Sequence, residues 1–407
     1  MANAANQKTS AWKSIFTRNV ILILLIQLVQ GFSSNMVGGF VGLEAKGMGL
    51  TAAFIGICAS LYTFGGLLMR APAGLATDTG KKRLVLVGAL FLRSLVFLLY
   101  GFCGKSSIMY AVLRTLHGFT WSFVGVALPA VMAMMVDKKI MGTTYAVFSA
   151  LNSFSRGLAR PLAMNLYKNF GSKTVALVTF SVGIASVLLA LCLDFNDPNL
   201  KPARVKKASI NPLKGIAWRF VPLCAISCLA IFAYQADNVY TPLIAEERGL
   251  DITAALAIGA GISTVWSLVV GVLCDIINTR LLTILLLTLY GIGTVMIGRS
   301  TSAGMFFVCY IIFIIGSKYG SAVRIEMMKN AEKSEQGAVS ATNLLFNDIY
   351  ATIAGTLIGV IATKTNYETA FIVAGALPVL SAVVFIFFGR QLFPKKADTS
   401  VTETAAV

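Results

Sequence analysis

Few residues of this sequence are charged. Asp, Glu, Lys and Arg make up 13% of its 407 residues, whereas an ordinary soluble domain carries about 25%. Negative charge is especially scarce, with 17 acidic residues against 34 basic ones. The basic residues lie in short segments between apolar runs rather than on one soluble surface, so we expect no nucleic-acid partner. The scarcity of charge excludes a soluble globular protein and predicts an integral membrane protein.

The sequence also has no motif typical of a metal site, a nucleotide-binding site or a disulfide framework. The seven cysteines lie within apolar runs, and neither their odd number nor their spacing suits a disulfide framework or a zinc site. The sequence has no P-loop, because five residues separate Gly74 from Gly80 and Lys81 is followed by Lys82. No group of residues resembles a catalytic site. We therefore expect no metal, no cofactor and no enzymatic activity.

Long apolar runs are what the sequence has in abundance. A helix needs about 20 mainly apolar residues to cross a bilayer, and we identify twelve such runs. In the first half they are 19–43, 52–74, 84–103, 107–134, 142–167 and 173–194. In the second half they are 219–244, 252–276, 280–298, 303–327, 336–362 and 369–390. These runs predict an all-α membrane protein with 12 transmembrane helices.

The longest polar connection divides these runs into six plus six. We predict two pseudo-symmetric bundles and two polar segments: an N-terminal six-helix bundle (1–195), a central loop (196–216), a C-terminal six-helix bundle (217–393) and a tail (394–407). The halves echo each other, since Gly142 and Asn152 recur as Gly337 and Asn347 at a spacing of 195. Lys and Arg are concentrated in the loops on the side of both termini, which places the termini and central loop in the cytoplasm. Two related halves predict a transporter with its substrate site between them.

A polar segment after the second run carries a family resemblance. The stretch Gly74-Leu-Ala-Thr-Asp78-Thr-Gly80-Lys-Lys-Arg resembles the loop between helices 2 and 3 of the major facilitator superfamily. It is closest to bacterial members with a Gly-x-x-x-Asp loop. The family has a basic residue directly after the Asp and its second Gly one position later, so this sequence departs from the pattern there. The resemblance implies a gating latch formed by Gly74, Asp78, Lys81, Lys82, Arg83 and, at the matching place in the second half, Asp275.

The fourth run carries a second resemblance. Arg114-Thr-Leu-His117-Gly118 is similar to the family's fourth-helix motif, whose Arg the family associates with proton transfer or substrate binding. His117 is the single histidine of the chain and lies one helical turn from Arg114. Because histidine titrates near neutral pH, His117 either carries a coupling proton or stays neutral and hydrogen-bonds to a neighbouring helix.

Two arginines, Arg156 and Arg160, lie within the fifth apolar run and share one helix face. A charge at membrane depth costs roughly 2.5–3.5 kcal/mol, and no acidic residue occurs between Asp137 and Asp194 to neutralise them. Drug:proton antiporters of the superfamily carry Gly-x-x-x-Gly-Pro in this helix. Here arginine occupies both glycine positions, followed by Pro161. The pair favours an anionic substrate over a drug.

Further polar residues inside the spans complete the predicted site, by resemblance to the cavity-lining helices of the family. The predicted substrate-binding residues are Arg114, Arg156, Arg160, Lys318, Tyr319, Gln30, Tyr234, Gln235 and Asn347. Asp237 and Asp348 are either proton carriers, like His117, or fixed partners of Lys318 and an arginine. Third helices of the family usually face lipid, so we expect Arg93 to snorkel or to pair structurally. Arg70, near a span end, is also expected to snorkel.

The resemblance covers essentially the whole chain and implies secondary active transport by alternating access. We predict a transporter of small organic anions, chiefly carboxylates, that works as a proton symporter or as an anion-exchanging antiporter. The alternative is proton-driven efflux of drugs or amphipathic metabolites. The expected partners are a small anionic substrate and the lipid bilayer of a bacterial inner membrane, with the protein as a monomer. The substrate's identity, the direction of transport and the coupling ion stay open.

Overall fold

The computed structural model describes residues 17–78, 82–104, 106–135, 141–195, 216–331 and 336–392, and all regular secondary structure in these ranges is helical. Eleven helices there are long and apolar enough to cross a membrane. In chain order they are α1 (Arg18–Gly47), α2 (Ala52–Asp78), α3 (Lys82–Tyr100), α4 (Ser107–Met135), α5 (Met141–Leu191), α6 (Trp218–Glu247), α7 (Thr253–Ile276), α8 (Thr279–Arg299), α9 (Ala303–Asn330), α10 (Gln336–Lys364) and α11 (Tyr367–Leu392). Nearly all of the predicted central loop and the whole predicted tail lie outside the described residues.

Contacts between helix ends define the two ends of the bundle. At one end, which we call the terminal end, Asn19 Nδ2 donates to the carbonyl of Asp194 (3.2 Å). At the other, the distal end, Lys46 forms a salt bridge with Glu246 (3.1 Å). Helices α1 and α6 therefore both run from the terminal end to the distal end.

These two helices also stop in the same way. Gly49 (φ 81°) and Gly249 (φ 64°) follow their last turns in the left-handed conformation, which glycine adopts without a steric penalty. In each case the N–H of the next residue, Leu50 or Leu250, donates to the carbonyl five residues earlier, at 3.1 Å and 2.8 Å. Helices α1 and α6 thus end in the same capping motif. The two halves are therefore similar in backbone conformation at this point as well as in sequence.

Helix α5 doubles back on itself at Gly171. This glycine has φ 77° and ψ 177°, outside the helical region, within a segment of 51 residues. The chain before Gly171 runs parallel to α1, and the chain after it runs antiparallel. The contacts that fix these directions are Ser155–Leu28 and Arg160–Gly39 before the break, and Thr179–Ser33 and Asp194–Asn19 after it. The reversal falls between the runs predicted at 142–167 and 173–194.

Two helices are irregular near their middles. In α6 the segment Ala236–Tyr240 is π-helical, and α9 is interrupted at Ser317 and Lys318. Single π turns are rare and often lie at functional sites. Non-helical backbone at membrane depth is tolerated where it is buried in protein or lines a cavity. The irregular segments hold Asp237 and Lys318, two of the predicted site residues.

The apolar cores of the two halves merge only toward the distal end. One buried cluster joins α1 residues such as Met36 and Phe40 to second-half residues such as Leu243. Toward the terminal end, first-half residues such as Val20 and Leu128 form a cluster of their own. The halves are therefore packed together at the distal end and leave a cavity between them toward the terminal end.

Glycines allow α2 to pack closely on α10 in the distal half of the bundle. Gly56 faces Gly355, whose carbonyl also accepts a hydrogen bond from the Tyr240 hydroxyl (3.0 Å). A methyl group added at Gly56 would overlap the Gly355 carbonyl oxygen. The contact thus joins three helices of both halves and leaves no room for a side chain.

We expect Gly56→Ala to destabilise the protein by roughly 1–3 kcal/mol, because the new methyl group overlaps backbone that cannot rotate away. The unfolding temperature of the purified protein in detergent measures the effect. Gly125→Ala is the matched control, since a methyl group there meets no atom within 4 Å and alanine is favoured over glycine in a helix. Equal losses from the two substitutions would contradict the packing role of Gly56.

Candidate functional site

A polar cavity lies between the two halves, near the middle of the helices. Its volume is ≈ 600 Å³. It is continuous with a second space of ≈ 730 Å³ whose lining includes Ser149 and Arg324, nearer the terminal end. The residues that line both spaces are Ser153, Ser317, Lys318, Tyr319, Gly320 and Asn347. The two spaces therefore adjoin, and the second extends from the central cavity toward the terminal end.

The arginine pair of α5 reaches across this cavity to α6. Arg156 Nη2 donates to the Tyr234 hydroxyl (3.1 Å) and to Asn238 Oδ1 (3.2 Å). Arg160 Nη2 donates to the backbone carbonyl of Asn238 (2.7 Å), and its Nη1 lies 3.9 Å from Asp237 Oδ2. Both arginines thus meet the π-helical part of α6, as expected of two residues one turn apart on one face.

The two arginines differ in burial and in charge partner. The side chains of Arg160 and Asp237 are each 5% exposed, so their ion pair is shielded from water. Asp237 also accepts a hydrogen bond from Thr241 (3.1 Å). Arg156 is half-buried, has no acidic partner among the described residues, and uses only Nη2 in hydrogen bonds there. Its Nε and Nη1 have no hydrogen-bond partner among the described residues.

Asp348 of α10 is paired with Arg70 of α2. Arg70 Nη2 lies 2.9 Å from Oδ1 and 2.7 Å from Oδ2 of the carboxylate, and its guanidinium lies over the ring of Trp121, 5.4 Å from the centroid. The alternative in which the acids are fixed partners of Lys318 and an arginine agrees with the structure in its arginine partner, whereas Lys318 pairs with neither acid among the described residues. Arg70 turns to this carboxylate rather than snorkelling, because α2 packs along α10.

Helix α4 contributes Arg114 and His117. Arg114 lies over the Tyr62 ring, 5.0 Å from its centroid, and its Nε is 3.4 Å from the carbonyl of Cys58. His117 is 4% exposed, and its ring packs against Tyr62 (4.8 Å) and Phe97 (4.9 Å). Neither ring nitrogen has a hydrogen-bond partner among the described residues. The predicted alternative, a histidine hydrogen-bonded to a neighbouring helix, is not observed there.

Arg93 of α3 points into the first half. It is 4% exposed and donates to Gln30 Oε1 (3.0 Å) and to Ser34 Oγ (2.6 Å) on α1. Of the two alternatives predicted for Arg93, snorkelling and structural pairing, the contacts agree with structural pairing, because α1 presents polar acceptors to this face of α3. The Gln30 side chain accepts a hydrogen bond from Arg93 and donates one to Gln27. It does not line the cavity.

The other predicted substrate-binding residues do line the cavity. Lys318 sits at the break in α9, and its ammonium group has no hydrogen bond or ion pair within the described parts of the chain. Gln235 donates to the carbonyl of Ala351 (2.9 Å), which ties α6 to α10. Asn347 donates to the backbone carbonyl of Asn343, one turn earlier (2.6 Å).

The described residues of the predicted latch lie at the terminal end, away from the cavity. Arg83 donates to the carbonyl of Leu191 (2.9 Å), and Lys82 is buried at the start of α3. Gly74 has open space around it. Lys81 and the side chains of Asp78 and Asp275 lie outside the described residues.

Positive charge exceeds negative charge around the cavity. Both of its carboxylates, Asp237 and Asp348, are already paired with arginines from the first half. Arg114, Arg156 and Lys318 have no acidic partner among the described residues. Unpaired cations in a water-poor cleft create a positive potential, and guanidinium groups bind carboxylate or phosphate through charge-assisted hydrogen bonds. The arrangement is suited to an anion.

Of the aromatic residues that line the cavity, the sequence analysis predicted Tyr234 and Tyr319 and missed the others. Tyr62 and Trp121 line the first half, and Tyr290, Tyr310 and Phe313 line the second. In a long apolar run, a ring that lines a cavity has the same sequence signature as one that packs or faces lipid. No spacing rule connects Tyr62 to Arg114, because the two lie on different helices.

Known proteins resemble this chain in both sequence and structure. The Major Facilitator Superfamily model matches residues 23–354. The MFS-type transporter YhhS of Escherichia coli K12 is 23% identical over 358 residues, which cover 83% of this chain and 84% of YhhS. The solved nucleoside transporter NupG has a TM-score of 0.76 at 10% identity and covers 92% of this chain and 100% of its own. A POT family transporter solved with a thioalcohol-conjugated peptide has a TM-score of 0.72 at 13% identity, covering 94% and 98%. At these identities the solved structures establish the fold alone.

Proposed function

Because this chain belongs to the major facilitator superfamily and is a multi-pass membrane transporter, we propose that it carries small organic anions, chiefly carboxylates, by alternating access. The observation that carries the proposal is the set of cations without acidic partners in the central cavity. Arg156 offers Nε and Nη1 to a ligand, and Lys318 faces the same space from the other half. An anion between them would relieve the repulsion of two like charges as well as gain hydrogen bonds.

We propose that the chain crosses the membrane twelve times, as two six-helix bundles (1–195 and 217–393). The reversal at Gly171 supports this count, because α5 then supplies two of the crossings. The concentration of Lys and Arg on the side of the termini supports cytoplasmic termini, and the bacterial MFS-type relative supports an inner-membrane location. The transporter acts as a monomer in this proposal.

The proposed transport cycle exchanges the open and closed ends of the cavity. With cytoplasmic termini, the open terminal end faces the cytoplasm, and the packed distal end blocks the outside. Opening the distal end requires the Gly56–Gly355 contact and the Lys46–Glu246 salt bridge to separate. The loop residues Gly74, Asp78 and Lys81–Arg83, with Asp275, are proposed to latch the terminal end in the alternate state.

We propose His117 as the proton carrier among the three candidates. Asp237 and Asp348 are held in ion pairs that bridge the two halves, whereas the ring nitrogens of His117 have no partner among the described residues. Arg114 on the same helix and Arg93 on α3 interact electrostatically with its ring, and Tyr62 and Tyr100 pack against it. A carboxylate beside Arg114 would attract a proton to His117. Anion and proton would then enter together, as in a symporter.

We expect organic acids, rather than sugars, amino acids or cationic dyes, to raise the unfolding temperature of the purified protein. A ligand at about 100 times its Kd stabilises the folded state by about 2.7 kcal/mol. Arg156→Gln serves as the control and should remove the response to acids. Stabilisation by dyes and not by acids would overturn the proposal and favour the alternative, proton-driven efflux.

A further inference from the structure

Aromatic rings are over-represented in the wall of the central cavity. Phe, Tyr and Trp make up about a fifth of its lining residues, twice their 10% share of the whole chain. Aromatic side chains bind flat rings through offset or edge-to-face contacts, which saturated groups of the same size cannot make. The wall is therefore suited to more than the charged head of a ligand.

Five of these rings line the cavity on the side of the second half, and we call this set the aromatic wall. It consists of Tyr234, Tyr290, Tyr310, Phe313 and Tyr319. Tyr290 lies 4.8 Å from Phe313 and 5.4 Å from Tyr319, and Tyr310 lies 5.7 Å from Phe313, measured between ring centroids. The rings belong to α6, α8 and α9. They face the arginines of α4 and α5 across the cavity.

Tyr234 marks where the aromatic wall meets the arginines. Its ring is 40% exposed, although it lies on a helix at the centre of the fold. The Arg156 guanidinium lies 5.2 Å from the ring centroid and donates to the hydroxyl. A ligand carboxylate on Arg156 therefore places the rest of the ligand beside the Tyr234 ring.

We propose that the substrate is an aromatic carboxylate, with its carboxylate on the arginines of the first half and its ring on the aromatic wall. This deepens the proposed function and rests on it. The cavity of ≈ 600 Å³ falls within the range of about 300–1,000 Å³ that small-molecule sites occupy. In this binding mode, residues of both halves contact the ligand and contribute to its recognition.

Four probes separate the contributions of charge and ring: benzoate, cyclohexanecarboxylate, benzyl alcohol and succinate. Each is titrated into the purified full-length protein, and the Kd is taken from the shift in unfolding temperature. We expect benzoate to bind about 2- to 10-fold more tightly than cyclohexanecarboxylate, which is the size of effect that ring–ring contacts produce. Benzyl alcohol, which lacks the charge, should bind more weakly than either acid.

Tyr234→Leu and Tyr234→Phe locate the ring contact. The Leu variant should weaken benzoate binding by about 2- to 10-fold and change cyclohexanecarboxylate binding less, whereas the Phe variant, which keeps the ring, should retain the preference. The unfolding temperature without ligand verifies that each variant folds. If succinate binds and benzoate binds no more tightly than cyclohexanecarboxylate, the proposal of an aromatic substrate is disproved. The proposed transport of anions would still stand. Binding of none of the three acids overturns both.

Discussion

Replacing Arg156 by Gln is expected to lower uptake of an anionic substrate into proteoliposomes by about 100-fold, with little change in the unfolding temperature. Loss of a charge-assisted contact to a buried anion costs about 2–3 kcal/mol, which corresponds to roughly that factor. Stability should be preserved because Arg156 is half-buried and its partners, Tyr234 and Asn238, are neutral. Removing it leaves no charge uncompensated.

Arg160→Gln provides the contrast. Its partner Asp237 is 5% exposed, and truncating one member of a buried ion pair costs about 3–5 kcal/mol because the other charge is left unpaired. This variant should therefore lose stability as well as uptake. The double variant Arg160→Gln/Asp237→Asn removes both charges, so it should recover stability without recovering uptake. Normal uptake by both single variants would disprove the anion site, and an unstable double variant would disprove the pairing.

Asp348→Asn is expected to destabilise the protein by roughly 2–3 kcal/mol and to impair transport. The substitution leaves the Arg70 guanidinium without the carboxylate that holds α2 to α10 (2.7 Å). The expected cost is at the low end for an ion pair because Arg70 is 25% exposed. The unfolding temperature and the initial rate of uptake measure the two effects.

The double variant Arg70→Gln/Asp348→Asn distinguishes two roles for Asp348: a fixed ion-pair partner of Arg70 and a proton carrier. If it is a fixed partner, removing both charges should restore stability and the response of uptake to an imposed pH gradient. His117→Gln, in the same assay, should lose that response and keep exchange of anion without a gradient. A double variant that is stable but no longer responds to the gradient would assign the proton to Asp348, against our proposal for His117.

Much of the fold could be predicted because membrane crossing depends on local composition. In a bilayer each spanning helix must satisfy its own backbone hydrogen bonds and present apolar side chains, so length and hydropathy identify the runs. The arginine pair was found for the same reason, since Arg156 and Arg160 are costly in an apolar run. Their common face followed from the helical repeat. The break at Gly171 lies between two runs that were already separated in the sequence.

Partners on other helices could not be predicted, because hydropathy says nothing about how a helix is rotated. Arg93 has the same sequence signature whether it faces lipid or the interior, and only its position beside Gln30 and Ser34 decides between them. Arg70 and Asp348 are separated by 278 positions, and no local pattern links them. Of the aromatic wall, only Tyr234 and Tyr319 were predicted, because the members come from three helices and no local pattern connects them.

The sequence by itself determined that this protein is a multi-pass membrane protein and that basic residues lie within its apolar runs. These follow from the cost of burying charge and backbone in lipid, which each segment incurs independently. Only the tertiary structure decided which cations are neutralised and which remain available to a ligand. Arg160 and Arg70 have carboxylates within 4 Å, whereas Arg156 and Lys318 have none among the described residues. The decisive quantity is distance across helices, because Coulomb energy in a low-dielectric cavity depends on where folding brings the charges.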